Sequence, residues 1–169
     1  ACTNLVSICR SVASSLRQTA ILLFVLGIVF CTVSSAQMAH FSGTQSTVSS
    51  SLNNPYGVAA DGIGNVYIAD TYNNRVLKET LSGGAYIQST IVSGLNSPQG
   101  IAVDGSGNVY IANTDDSQVL KETWTGVTYT QSTLGSGLKG PCGVAVDGGG
   151  NLYILDYNNS RVVKVPWTG

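Results

Sequence analysis

The chain has 169 residues, a formal net charge of −1 and only 10% charged residues. That excludes a nucleic-acid binder built on clustered lysine and arginine, which phosphate neutralisation requires. With 43% apolar residues and 20 glycines, and little Glu, Lys or Leu, the sequence is neither disordered nor a helical bundle; it reads as turn-rich and all-β.

Residues 20–33, AILLFVLGIVFCTV, are an uncharged apolar run of 14 residues. Arg10 and Arg17 precede it, and Ser34-Ser35-Ala36 follows it. A basic start, a short apolar stretch and small residues before a cut after Ala36 are the layout of a signal-peptide helix. The run is shorter than the ~20 residues that span a bilayer. The expectation is an exported protein, secreted or periplasmic, divided into a leader (1–36) and a mature part (37–169). The alternative is an uncleaved anchor at 20–33, which would be the chain's sole membrane contact. Cys2, Cys9 and Cys31 leave with the leader, so Cys142 stands alone and forms no internal disulfide. The mature part is mildly acidic, which does not favour an anionic partner surface.

The mature part is built on a repeat. Pro55-Tyr56-Gly57, Pro98-Gln99-Gly100 and Pro141-Cys142-Gly143 lie 43 residues apart. PYGVAADGIGNVYIADTYNNRVLKE, PQGIAVDGSGNVYIANTDDSQVLKE and PCGVAVDGGGNLYILDYNNSRVVKV align without gaps. The same offset joins Gln45-Ser46-Thr47, Gln88-Ser89-Thr90 and Gln131-Ser132-Thr133. Repeats therefore start near 55, 98 and 141.

Each period carries four strand signals. In the first copy they are 57–60, then 65–69 with apolar residues on both faces, then 75–79, and then a more polar, alternating 85–92. Asp61-Gly62-Ile63-Gly64 and residues 70–74 are the turns between the first three. Four antiparallel strands per 43 residues fit a blade of a β-propeller. An outer strand near 43–50 precedes the first repeat and is expected to act as a clasp.

The repeat resembles the NHL repeat over about 45–169. The resemblance implies a propeller, usually of six blades, often serving as a binding platform; related propellers include secreted sensor domains and a few lyases.

Three sets of repeat positions are candidates for special roles. Asp70 and Arg75, like Asp156 and Arg161, sit five residues apart, and both change together to Asn113 and Gln118 in the second copy. Such paired change predicts a side-chain latch closing the turn between second and third strands. Asp61, Asp104 and Asp147 share a position before glycine, which predicts Asx turns and no metal. The candidate ligand-binding residues are those that vary inside the constant frame. They are Tyr56, Gln99 and Cys142 at the entry to the first strand, and Tyr72, Asp115 and Asn158 in the second turn. Tyr67, Tyr110 and Tyr153 read as packing between blades, with satisfied hydroxyls.

Catalytic residues are not expected. The one histidine, His40, precedes the repeats, so no His-ligated zinc or Ser-His-Asp set is available within them. No cofactor is expected. Three blades are too few for a closed ring. The expectation is a piece of a longer propeller or, in second place, a head-to-tail pair of chains closing six blades. The resulting function is an exported, non-catalytic binding or scaffold module for a protein, peptide or glycan. The alternatives are a part of a secreted lyase or hydrolase, or of an extracellular sensor.

Overall fold

Three pentapeptides, VYIAD, VYIAN and LYILD, combine β-branched and aromatic residues and lie 43 residues apart. In the computed structural model, which describes residues 43–168, each is the second strand of an antiparallel sheet. The leader, the anchor at 20–33 and the cut after Ala36 lie outside the described residues. From Gln45 onward the chain forms one compact unit.

The strands run in chain order. The first blade holds β1 (Gly57–Ala60), β2 (Val66–Asp70), β3 (Arg75–Ser82) and β4 (Ala85–Ser93). The second holds β5 (Pro98–Val103), β6 (Val109–Asn113), β7 (Gln118–Trp124) and β8 (Tyr129–Leu134). The third holds β9 (Pro141–Val146), β10 (Leu152–Asp156) and β11 (Arg161–Val165). Every strand pairs with its sequence neighbour, giving the orders β1-β2-β3-β4, β5-β6-β7-β8 and β9-β10-β11. Register repeats with the sequence: Asp70 faces Arg75, Asn113 faces Gln118, and Asp156 faces Arg161.

The described residues make eleven strands, one fewer than the sequence pattern predicts. The segment expected as a clasp strand near 43–50 is not a strand. The reason lies in pairing. β4 and β8 carry the same Gln-Ser-Thr signature and are strands because β3 and β7 lie alongside them. Gln45-Ser46-Thr47 has no third strand beside it within the described sheets. The segment is instead tied by single bonds, as where Gln88 Nε2 donates to Ser49 Oγ at 3.2 Å.

The blades stack face to face, and the core lies in the seams. Tyr67 and Val76 of the first blade pack with Ile101, Val109, Ile111 and Leu120 of the second, around Leu95. Ala102, Tyr110 and Val119 of the second blade pack with Leu152 and Ile154 of the third. All five residues of β6 are buried because blades cover both its faces. Burying each large apolar side chain contributes roughly 1.5–3 kcal/mol. On the far side of β10, with no described blade stacked there, Leu155 and Val162 are 45% and 65% exposed. Their counterparts Ala112 and Val119 are fully buried.

The glycines of the first two Pro-x-Gly steps have a steric reason. First strands of adjacent blades approach closely. A Cβ on Gly100 would lie 2.7 Å from the Cys142 carbonyl oxygen and from Gly143 Cα. A Cβ on Gly57 would collide with the Gln99 carbonyl. Only glycine lets the backbones converge.

Candidate functional site

The up-and-down path gives each blade two ends. At one lie the turns between first and second strands, with Asp61, Asp104 and Asp147. At the other lie the entries to the first strands and the turns between second and third strands. We call this second one the entry end.

At the aspartate end the carboxylates are consumed by their own turns. Asp61 Oδ1 accepts the backbone N–H groups of Ile63 and Asn65, at 3.1 and 2.9 Å. Its Oδ2 accepts from Asn65 Nδ2 and from the Tyr67 hydroxyl, at 2.7 and 3.1 Å. Asp104 and Asp147 repeat the pattern with Tyr110 and Tyr153. Burial pushes the Asp61 and Asp104 carboxyls up, but these hydrogen bonds outweigh it and hold both below the ordinary value of 3.8. For Asp147 the Asn151 amide leads, in the same direction. Burial, then the Asp104 bond, pushes the Tyr110 phenol up to about 12. Among the described residues no three His, Cys, Asp or Glu side chains converge as a metal site. Lysines complete this end. Lys78 lies over the rings of Tyr67 and Trp124, at 5.4 and 5.5 Å, and Lys121 over Tyr110 and Trp167. These cations bridge adjacent blades. The clefts here, of about 580 and 320 Å³, are lined largely by these committed groups.

At the entry end, Asp70 is buried and accepts three hydrogen bonds, from Asn53 N at 2.7 Å, Asn73 Nδ2 at 2.8 Å and Arg75 Nε at 2.7 Å. Asp156 does the same with Lys139 N, Asn159 Nδ2 and Arg161 Nε. Burial raises each carboxyl, yet the three donors hold it below 3.8. The second copy departs from the expected amide–amide contact. Asn113 Nδ2 donates to Asp116 Oδ2 at 2.7 Å, while Asn113 Oδ1 accepts from Asn96 N at 2.8 Å. Acid and amide have exchanged places, since Asp116 stands where the other copies have Asn73 and Asn159. The negative charge moves three residues along the turn, and the position opposite Asn113 holds an uncharged Gln118.

The six variable residues divide. Tyr56, Gln99, Cys142 and Asn158 line one cleft of about 440 Å³ at the entry end, together with Thr114, Gly140 and Tyr157. Tyr72 and Asp115 lie outside it. The Tyr72 backbone N–H donates to the Asn53 carbonyl, and Asp115 Oδ2 accepts from the Ser97 hydroxyl at 2.5 Å. Sequence reasoning missed Thr114, Gly140 and Tyr157. The signal was available. The column Thr71, Thr114, Tyr157 breaks to an aromatic in the third copy, and Asn54, Ser97, Gly140 breaks to glycine. The cleft holds no charged side chain. It brings together two exposed phenols, two carboxamides, a thiol and the Thr114 hydroxyl. Such a set can hold a ligand by rings and neutral hydrogen bonds.

The NHL-repeat family profile matches residues 52–78, 95–121 and 138–165. Among curated proteins, none matches the chain in sequence. Solved structures are similar in fold. A luciferin-regenerating enzyme superposes with a TM-score of 0.57 at 19% identity, covering 71% of this chain and 47% of that one. A catalytically inactive histidine-to-alanine variant of virginiamycin B lyase from Staphylococcus aureus, with quinupristin, gives 0.51 at 14%, covering 68% and 42%. Regucalcin, a calcium-binding protein from Agrobacterium tumefaciens, gives 0.52 at 16%, covering 66% and 45%. At these identities the likeness is one of fold, and the chain spans less than half the length of each.

Proposed function

Because this chain belongs to the NHL-repeat β-propeller proteins, we propose that it is an exported, non-catalytic binding module whose recognition surface is the entry end of its blades. The observation that supports this reading is the cleft shared by Tyr56, Gln99, Cys142 and Asn158. These positions vary while the frame around them repeats, and a repeat scaffold that holds its frame while varying one loop surface suits recognition. The aspartate end, by contrast, repeats its residues and spends them on turns. Enzymes occur among the structural neighbours, one of them inactivated by loss of a histidine. The repeats of this chain contain no histidine, which favours binding over that chemistry. The apolar run at 20–33 and the small residues before Gln37 support export.

The test is an array of peptides and of neutral and charged glycans, probed with the labelled chain and two variants. Binding that is lost in Tyr157→Ala and kept in Lys121→Ala, which alters the opposite end, is the expected result. Binding that is absent, or lost only in Lys121→Ala, would overturn the reading. N-terminal sequencing of the exported product should find Gln37.

A further inference from the structure

We propose that the entry-end cleft is a subsite for a neutral saccharide, and that Gly140 is the residue that opens it. The inference rests on the binding reading above and names its ligand class. Three comparisons along the repeat carry it.

The first concerns the residue before each proline. Asn54, Ser97 and Gly140 share a left-handed backbone, with φ of 49°, 52° and 58°. In the second copy the Ser97 hydroxyl holds the Asp115 carboxylate. In the third copy the corresponding glycine has no side chain, and the Asn158 amide occupies that space. A Cβ on Gly140 would collide with Asn158 Nδ2 and lie 3.2 Å from its Cγ. Asn158 therefore faces the cleft without a side-chain partner.

The second concerns the seams. Thr71 Oγ1 donates to the Pro98 carbonyl at 2.7 Å and ties the first blade to the second. Thr114, one repeat on, has no such bond. Its Oγ1 is buried and unpartnered at the cleft between second and third blades. A buried hydroxyl without a partner is costly and calls for an explanation; Thr114 lines the cleft, and a hydrogen-bonding ligand that shifts the wall there supplies one.

The third concerns the amides. Asn65, Asn108 and Asn151 are committed to their aspartates. Gln99 and Asn158, among the described residues, keep both donor and acceptor free. They stand beside Tyr56 and Tyr157, which are 69% and 67% exposed.

Together these groups match one chemistry. The lining has no Asp, Glu, Lys or Arg, so it does not select an ionic ligand. Phenol rings offer apolar faces to the C–H face of a sugar. Free carboxamides donate and accept at once, as hydroxyls on a sugar ring require. The volume lies in the range of small-molecule sites.

The experiment titrates the full chain with maltotriose, cellotriose and triacetylchitotriose, by calorimetry and by saturation-transfer NMR. At least one trisaccharide should bind at millimolar concentration or below. Gly140→Ser should weaken that binding at least about tenfold, a loss of about 1.4 kcal/mol. It should still fold, because serine adopts this backbone at position 97, with an unfolding midpoint lowered only modestly by the side chain at positive φ. Should that variant fail to fold, Tyr157→Ala carries the same expectation. Equal binding by wild type and Gly140→Ser would overturn the role of Gly140 and of the cleft. No binding of any trisaccharide, with Tyr157-dependent peptide binding on the array, would overturn the saccharide and leave the binding module standing. Failure of both would overturn both.

Discussion

The buried aspartates of the entry end act through acceptors that nothing else replaces. Asp70 receives a backbone N–H, an amide and a guanidinium. Removing it in Asp70→Ala leaves the Asn53 N–H and the Asn73 amide without an acceptor. Each orphaned donor costs roughly 1–3 kcal/mol, so a loss of about 2–4 kcal/mol is expected in urea unfolding. Arg75→Gln should cost much less, about 1 kcal/mol or below, because Arg75 is partly exposed and screened. The second blade already works without an arginine there. A larger loss from Arg75→Gln than from Asp70→Ala would refute this ranking.

The same residues set the pH range of the fold. The carboxyls of Asp61, Asp70, Asp104 and Asp156 are held below 3.8. A lowered folded value means that their contribution is present above the unfolded value and is lost as pH falls through the folded one. The Tyr110 phenol is raised from 10.0 to about 12. Its contribution is present below pH 10 and is lost as pH rises toward 12. Thermal unfolding followed across pH should show a plateau bounded by declines below about 4 and above about 10. A decline starting near neutrality would contradict this account.

At the scale of elements, convergence of the first strands decides which glycines matter. Gly100→Ala places a methyl 2.7 Å from backbone atoms of the next blade. Overpacking against a backbone that cannot yield costs about 1–3 kcal/mol. Gly105→Ala meets open space and should stay within about 0.5 kcal/mol of wild type. Parallel denaturation curves would show the contrast. Both glycines look alike in the sequence. The difference arises from the distance between strands 43 residues apart in the chain, which no local pattern encodes.

Strand order, the positions of turns and the polar outer strands were legible from the period and from alternation, because each hairpin is local. The clasp near 43–50 was not. A Gln-Ser-Thr segment becomes a strand only where another strand's N–H and C=O groups lie beside it. Sequence similarity to β4 and β8 could not supply that neighbour. Nor could covariation of Asn113 with Gln118 reveal that the partner of Asn113 is Asp116, since both readings conserve hydrogen bonds.

For the whole molecule, the two outer blade faces matter most. Val58 on the first blade is 70% exposed, and Leu155 and Val162 on the third are also uncovered. Their counterparts elsewhere form the seams. Apolar faces of this kind, next to the free edge of β11, favour association. Light scattering of residues 37–169 should show self-association, reduced by Val162→Arg and equally by Val58→Arg if copies meet head to tail. A monodisperse monomer at all concentrations would exclude that pairing.

By itself the sequence determined the blade: its four-strand order, its aspartate turns and the columns where residues vary. Those features depend on near neighbours and on a strict period. Only the tertiary structure decided that four of six variable residues share one cleft, that Gly140 and Thr114 shape it, and that the second blade's acid sits at Asp116. Each depends on how blades meet in space, where a missing side chain in one repeat frees a group in another.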